Sequence, residues 1–167
     1  MTKKQLKKLV AKDVLKWIGI KIQPQTGAYI STEDYIPDNE KAKEALCHEK
    51  CEVCAMGAIA PSLVDRFNKL SIKELYRVSK SHRSAFMNKA FSPTELYTIE
   101  VFFECSSPNS IEIQHDIYNK YFMFLDNIFE RKSDEERMIA IFKYIAKTGE
   151  FEPDDFILYF IKNCKGI

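Results

Sequence analysis

The densest chemical grouping in the 167-residue chain is Cys47-His48-Glu49-Lys50-Cys51-Glu52-Val53-Cys54. Thiolate and imidazole are the usual ligands of zinc, and a Cys-x2-Cys spacing presents two sulfurs to one metal. Cys51 and Cys54 would supply that pair, and Cys47 or His48 a third ligand. A fourth would come from His82, His115, Cys105 or Cys164, because the chain has no second pair at ligand spacing. The same thiols could instead serve as nucleophiles. A helix N-terminus favours thiolate, one of the three histidines could act as base, and Asp116 or Glu49 could orient it. Glu49 and Glu52 oppose that use, since nearby negative charge raises a thiol's pKa. The bland expectation is the favoured one: Cys54 is a small buried apolar residue, and Cys47 and Cys51 are thiols near a helix start. No resident cofactor is therefore expected, with zinc at the 47–54 cluster as the alternative.

Basic residues form the second candidate. Lys and Arg (25) nearly balance Asp and Glu (24), giving a net charge of +1, but the charge is segregated. Residues 1–23 hold seven lysines against Asp13, residues 33–52 seven acids against three lysines, and residues 65–91 seven bases against two acids. Arg66, Lys69, Lys73, Arg77 and Lys80 recur at spacings that stack them on one helical face, provided that Ser71 does not break the helix. Such a stripe can bind the phosphates of a nucleic acid or a nucleotide. It equally fits a solvated helix face opposite a core stripe, which is the favoured expectation. No helix-turn-helix, zinc-finger or aromatic-basic RNA signature accompanies it, and no Gly-rich phosphate loop exists to support a nucleotide enzyme.

These residues need helices to position them. Four capping boxes stand out, Thr2…Gln5, Ser71…Glu74, Ser92…Glu95 and Ser133…Glu136, with Pro93 at a first helical position. The spacing predicts helices over about 3–18, 52–67, 72–81, 83–90, 93–105, 115–131, 134–148 and 154–163, and Asp38 could cap another. Leu6, Val10, Val14 and Trp17 share one face of the first, and Lys4, Lys8, Lys12 and Lys16 line the other. The apolar 52–67 stretch reads as a central helix, kinked or restarted at Pro61. Alternation about Pro24 and Gly27 permits one small β-hairpin near residues 20–31. The expected architecture is all-α: a single domain over 1–167, about seven helices packed antiparallel through short connections.

The segment Cys51-Glu-Val-Cys54-Ala-Met-Gly-Ala58 resembles the C-x-V-C-A-x-G-A segment of small helical proteins encoded by bacteriophages and prophages. Arg137-Met-Ile-Ala-Ile-Phe-Lys-Tyr-Ile145, followed by Gly149-Glu-Phe151-Glu-Pro153, is similar to their C-terminal helix and exit loop. The resemblance implies an accessory protein of a virus or mobile element and brings no catalytic residues.

Aromatics make up 13% of the chain, with 12 Phe and 8 Tyr. Phe102, Phe103, Tyr121, Phe122, Phe124 and Phe129 exceed what one helix face can hide. Tyr118 or Tyr121 on an outer face would mark a contact surface. Phe156, Tyr159, Phe160 and Ile161 would dock onto the body or onto a second copy. No apolar run reaches the roughly 18 residues of a membrane span, and the odd number of cysteines in a chain of this length reads as reduced thiols of the cytoplasm, the host cytoplasm for a phage protein. The expectation is a non-enzymatic accessory protein that binds another protein, which could be a host or defence protein. A cysteine- or zinc-dependent enzyme and a nucleic-acid or nucleotide binder are the alternatives.

Overall fold

The computed structural model describes residues 1–27, 51–67, 85–106 and 112–163. Across them the chain is mainly helical, with six α-helices and one short two-stranded parallel sheet. Three of the four capping boxes open helices. Thr2 Oγ1 accepts from the Gln5 N–H at 3.2 Å and Gln5 Oε1 accepts from the Thr2 N–H at 2.8 Å, starting α1 (Lys3–Trp17). Ser92 and Glu95 do the same for α3 (Pro93–Glu104), and Ser133 and Glu136 for α5 (Asp134–Thr148). The fourth, Ser71…Glu74, lies outside the described residues, as do the helix expected at 72–81 and the cap Asp38.

The remaining elements depart from the expected bounds in ways that have local causes. Residues 51–53 are not the first turn of a helix but a strand, β2 (Cys51–Val53), and α2 begins after it, at Ala55–Phe67. The partner of β2 is β1 (Ile22–Pro24), which runs parallel to it in the register Ile22–Cys51, Gln23–Glu52, Pro24–Val53. This replaces the hairpin expected near 20–31 as the described pairing of that strand. Pro24 has no N–H to give a ladder, which suits a short edge strand. Pro61 sits inside α2 without ending it. The 83–90 stretch forms, in its described part, only a 3₁₀ turn at Met87–Lys89. The long 115–131 helix is α4 (Glu112–Phe124), which passes into a π turn, Leu125–Phe129, closed by the Glu130 N–H on the Leu125 carbonyl at 2.7 Å. The last helix is α6 (Pro153–Asn163).

The core forms around α3. Leu96 to Phe103 are all buried, so this helix is covered on every side rather than along one stripe. Phe102 lies among the rings of Tyr121 (5.4 Å between centroids), Phe151 (5.4 Å), Phe156 (5.7 Å), Phe124 (6.2 Å) and Phe129 (6.5 Å). These rings come from α4, the π turn, the α5–α6 connection and α6. On the other side α2 buries Met56, Ile59, Leu63 and Val64, and α1 buries Leu6, Val10, Ala11 and Val14. Phe156 and Phe160 dock inward as expected; Ile161 does not, and is 44% exposed.

Helix α1 lies along α5, and the residue that ends α5 sits close against the first turn of α1. Gly149 has φ +81°, and a Cβ placed there would stand 2.5 Å from Lys4 Cγ and 2.8 Å from the Lys4 carbonyl oxygen. Gly19 has a similar φ, +77°, with nothing within 4 Å of its would-be Cβ. Left-handed backbone costs an L-residue about 1–2 kcal/mol. We predict that Gly19→Ala costs about 1 kcal/mol in urea unfolding, whereas Gly149→Ala costs about 2–3 kcal/mol because helix contact is added to strain. Equal losses would contradict the close approach.

Candidate functional site

Cys54 occupies the residue before α2, and its thiol has a structural task. Its Sγ accepts from the Gly57 N–H at 3.5 Å, in the manner of a helix cap, and the residue is 2% exposed. Burial pushes the thiol up to about 12, with Glu100 and Glu104 adding to the rise and the Gly57 N–H offsetting part of it. A thiol so poised is protonated at neutral pH, which weighs against Cys54 as a nucleophile. Cys105 ends α3 in the left-handed region (φ 51°), donates to the Phe102 carbonyl at 3.5 Å and is likewise pushed up to about 12, chiefly by burial. His115 is exposed on α4 beside Asp116. Of Cys51 the backbone alone is described, in β2. Cys47, His48, Glu49, His82 and Cys164 lie outside the described residues. Among the described residues no group of three or more His, Cys, Asp or Glu stands close enough to hold a metal ion.

Of the basic stripe, Arg66 falls within the described residues; Lys69, Lys73, Arg77 and Lys80 lie outside them. Arg66 pairs with Asp13 of α1, and the Ser62 hydroxyl donates to the same carboxylate oxygen at 2.7 Å. The guanidinium at the end of α2 is therefore engaged in tying α2 to α1.

A set of buried and half-buried polar groups escaped the sequence reading. Glu100 is 2% exposed, and its Oε2 accepts from Gln114 Nε2 at 2.7 Å. One turn on, the Glu104 carboxylate accepts the Gly27 N–H through both oxygens, at 2.8 and 3.1 Å. Asp134, at the start of α5, accepts the neighbouring Thr26 N–H at 2.7 Å. Arg137, 5% exposed, donates to the carbonyls of Lys132 (3.0 Å) and Glu130 (3.3 Å) and to Asp134 Oδ1 at 2.5 Å. The 26–27 turn is thus clamped by two carboxylates from two helices. A signal existed in the sequence: Glu100 and Glu104 are an i, i+4 pair, and between Leu96 and Phe103 the only other non-aromatic polar residue is Thr98, so the interior lies close to both.

Two clefts open between these elements. One, of about 520 Å³, lies between the 19–25 turn and the start of α5. The other, of about 510 Å³, is walled by the first turns of α3, by one face of α4 and by residues 151–153.

The surface has a further feature. Phe122, Met123 and Ile128 on α4 and the π turn, and Leu158 and Ile161 on α6, are large apolar side chains left 41–67% exposed. The outward aromatic is therefore Phe122. Tyr118 is half-buried with its hydroxyl donating to Asp126 Oδ1 at 2.7 Å, and Tyr121 packs on Phe102. No described helix is long and apolar enough to cross a membrane.

Compared with known proteins, the chain matches no protein-family model, no curated protein and no solved structure.

Burial, together with the charges of Glu100 and Asp134, raises Glu104 to about 7, against the pull of the Gly27 N–H and Arg137. The folded state thus keeps a proton that the unfolded chain releases near its ordinary value of 4.5. The stability this contributes is full below that value and is lost as pH rises through about 7. Denaturation of Glu104→Gln, whose amide oxygen still accepts from Gly27, should show a shallower fall in stability between about pH 5 and about pH 7 than the wild type. Identical slopes would contradict the burial of Glu104.

Proposed function

We propose that this chain acts by binding another protein rather than by chemistry of its own, as an accessory factor of the phage type implied by its 51–58 segment. The observation that supports this is the exposed apolar set on α4, the π turn and α6. Phe122, Met123, Ile128, Leu158 and Ile161 keep between 41% and 67% of their surface in water. Phe160 of α6 has ring contacts with Phe129 of the π turn (5.1 Å) and Phe124 of α4 (5.6 Å), and Lys120 of α4 lies 3.7 Å from Asp154 of α6. Exposed large apolar groups on elements packed together supply the kind of surface that protein interfaces use, and aromatic and Met side chains are enriched there. Helices α4 and α6 use their inner faces for the core, which leaves these five side chains free for an outside partner. Cys105 is buried as Cys54 is, its thiol donating to the Phe102 carbonyl at the end of α3, so neither of these two thiols is offered to solvent.

The test is affinity capture with the wild type and with the double variant Met123→Glu/Leu158→Glu. Both positions are more than 60% exposed, so the melting temperature should stay within a few degrees of the wild type. A partner retained by the wild type should bind the variant at least about tenfold more weakly, or about 1.4 kcal/mol. Equal retention by both, or no protein retained by either, would overturn the proposal.

A further inference from the structure

The turn that follows β1 is held by side chains from two helices whose charges do not balance. Thr26 is half-buried and Gly27 exposed, so the turn is a surface segment laid against the end of α3 and the start of α5. Its Thr26 N–H meets Asp134 at 2.7 Å, and its Gly27 N–H meets both oxygens of Glu104 at 2.8 and 3.1 Å. Gly27 brings no side chain to this contact, and at φ +75° the space around its would-be Cβ is open. The strand behind is anchored in another way. Ile22 and Pro24 are buried, and the Gln25 N–H reaches the Val53 carbonyl at 3.0 Å. The turn can therefore lift from the two carboxylates while β1 stays in place.

Groups from three directions face Glu104. Glu100 stands one turn back on α3, and Asp134 and Arg137 stand on α5. The thiols of Cys54, before α2, and Cys105, after α3, are protonated at neutral pH. Among the described residues, three carboxylates thus meet one guanidinium. Arg137 directs its hydrogen bonds to Asp134 and to the carbonyls of Glu130 and Lys132, and its Nε has no partner. An ionised Glu104 is opposed by burial and by two like charges, which raises its carboxyl to about 7 from an ordinary 4.5. Lifting the turn lets water reach the carboxylate and removes most of that opposition.

We propose that the 26–27 turn is a proton-operated latch, closed on α3 and α5 while Glu104 carries a proton and loosened when that proton passes to water. The sign follows from linkage. The closed form holds the proton more tightly than the open form, so opening grows easier as pH rises between the two values and changes no further above the upper one. Gln25 and Asp134 also line the cleft of about 520 Å³ between the 19–25 turn and α5. Release of the latch therefore loosens one wall of that cleft.

Amide exchange of the whole labelled chain, followed by NMR between about pH 5 and about pH 8.5, tests the latch. Each rate is divided by that of an unstructured peptide at the same pH. Protection of Thr26 and Gly27 should fall about tenfold per pH unit up to about 7 and then level off. Val101 and Phe102, in the core of α3, should stay better protected than the turn throughout, which separates local release from unfolding of the chain. Glu104→Gln, whose amide stands in for the protonated carboxyl, should keep the turn at its low-pH protection at every pH. In the wild type alone, the Glu104 carboxyl carbon should titrate near 7, with the Thr26 and Gly27 amide shifts following the same midpoint. Turn protection that ignores pH, the same fall in Glu104→Gln, one exchange rate for turn and core, or a carboxyl titrating near 4.5 would overturn the proposal. None of these readouts involves Met123 or Leu158, so the latch and the apolar surface stand or fall separately.

Discussion

Phe102 is the point through which the described fold is held together. Its ring meets rings from α4, the π turn, the α5–α6 connection and α6 at centroid separations of 5.4–6.5 Å, largely in the tilted and edge-on arrangements that aromatic pairs prefer. Because α3 is buried on every side, each element that touches it is placed relative to the others by that contact. Helix α6 packs on the cluster through Phe156 and Phe160, which turns Leu158 and Ile161 away from it. Helix α4 packs through Phe124 and Tyr121, which turns Phe122 and Met123 away. The apolar surface and the core are two consequences of one excess of aromatic side chains.

Making α3 a central helix also brings two carboxylates inward. Glu100 finds an amide donor in Gln114, and Glu104 and Asp134 find the backbone N–H groups of Gly27 and Thr26. Ionised carboxylates are costly to bury unless donors face them, so these contacts fix how the 26–27 turn meets α3 and α5. The turn follows β1, and β1 sets β2, after which Cys54 caps α2. One chain of contacts thus leads from an acidic pair on α3 to the start of another helix. Cys54, expected as a small buried residue with metal ligand and nucleophile as the alternatives, belongs to that chain of contacts as a buried cap.

What was legible in the sequence was what three or four adjacent residues decide. The capping boxes at Thr2, Ser92 and Ser133 start helices where expected, and the apolar spacing of Leu6, Val10 and Val14, or of Met138, Ile141, Phe142 and Ile145, marks the buried faces. The illegible parts depend on partners distant in sequence. Val53 reads as helical until Pro24 is known to lie opposite it, and the donor that meets Glu104, the Gly27 N–H, lies 77 residues away in sequence. The π turn at Leu125–Phe129 has no capping residue to announce it, yet it sets the outward position of Ile128. Of the site, the aromatic surplus can be counted but not located in the sequence: Tyr118 or Tyr121 on an outer face would mark a contact surface, and the aromatic left exposed there is Phe122.

A protein bound through the apolar side chains of α4, the π turn and α6 would cover those elements and leave the opposite helices open. Hydrogen–deuterium exchange of the free chain and of its complex with a captured protein would show this without any substitution. Added protection should concentrate on α4, the π turn and α6, with α1 and α2 exchanging as in the free chain. Protection centred on α1 or α2, with α4 and α6 unchanged, would contradict the account.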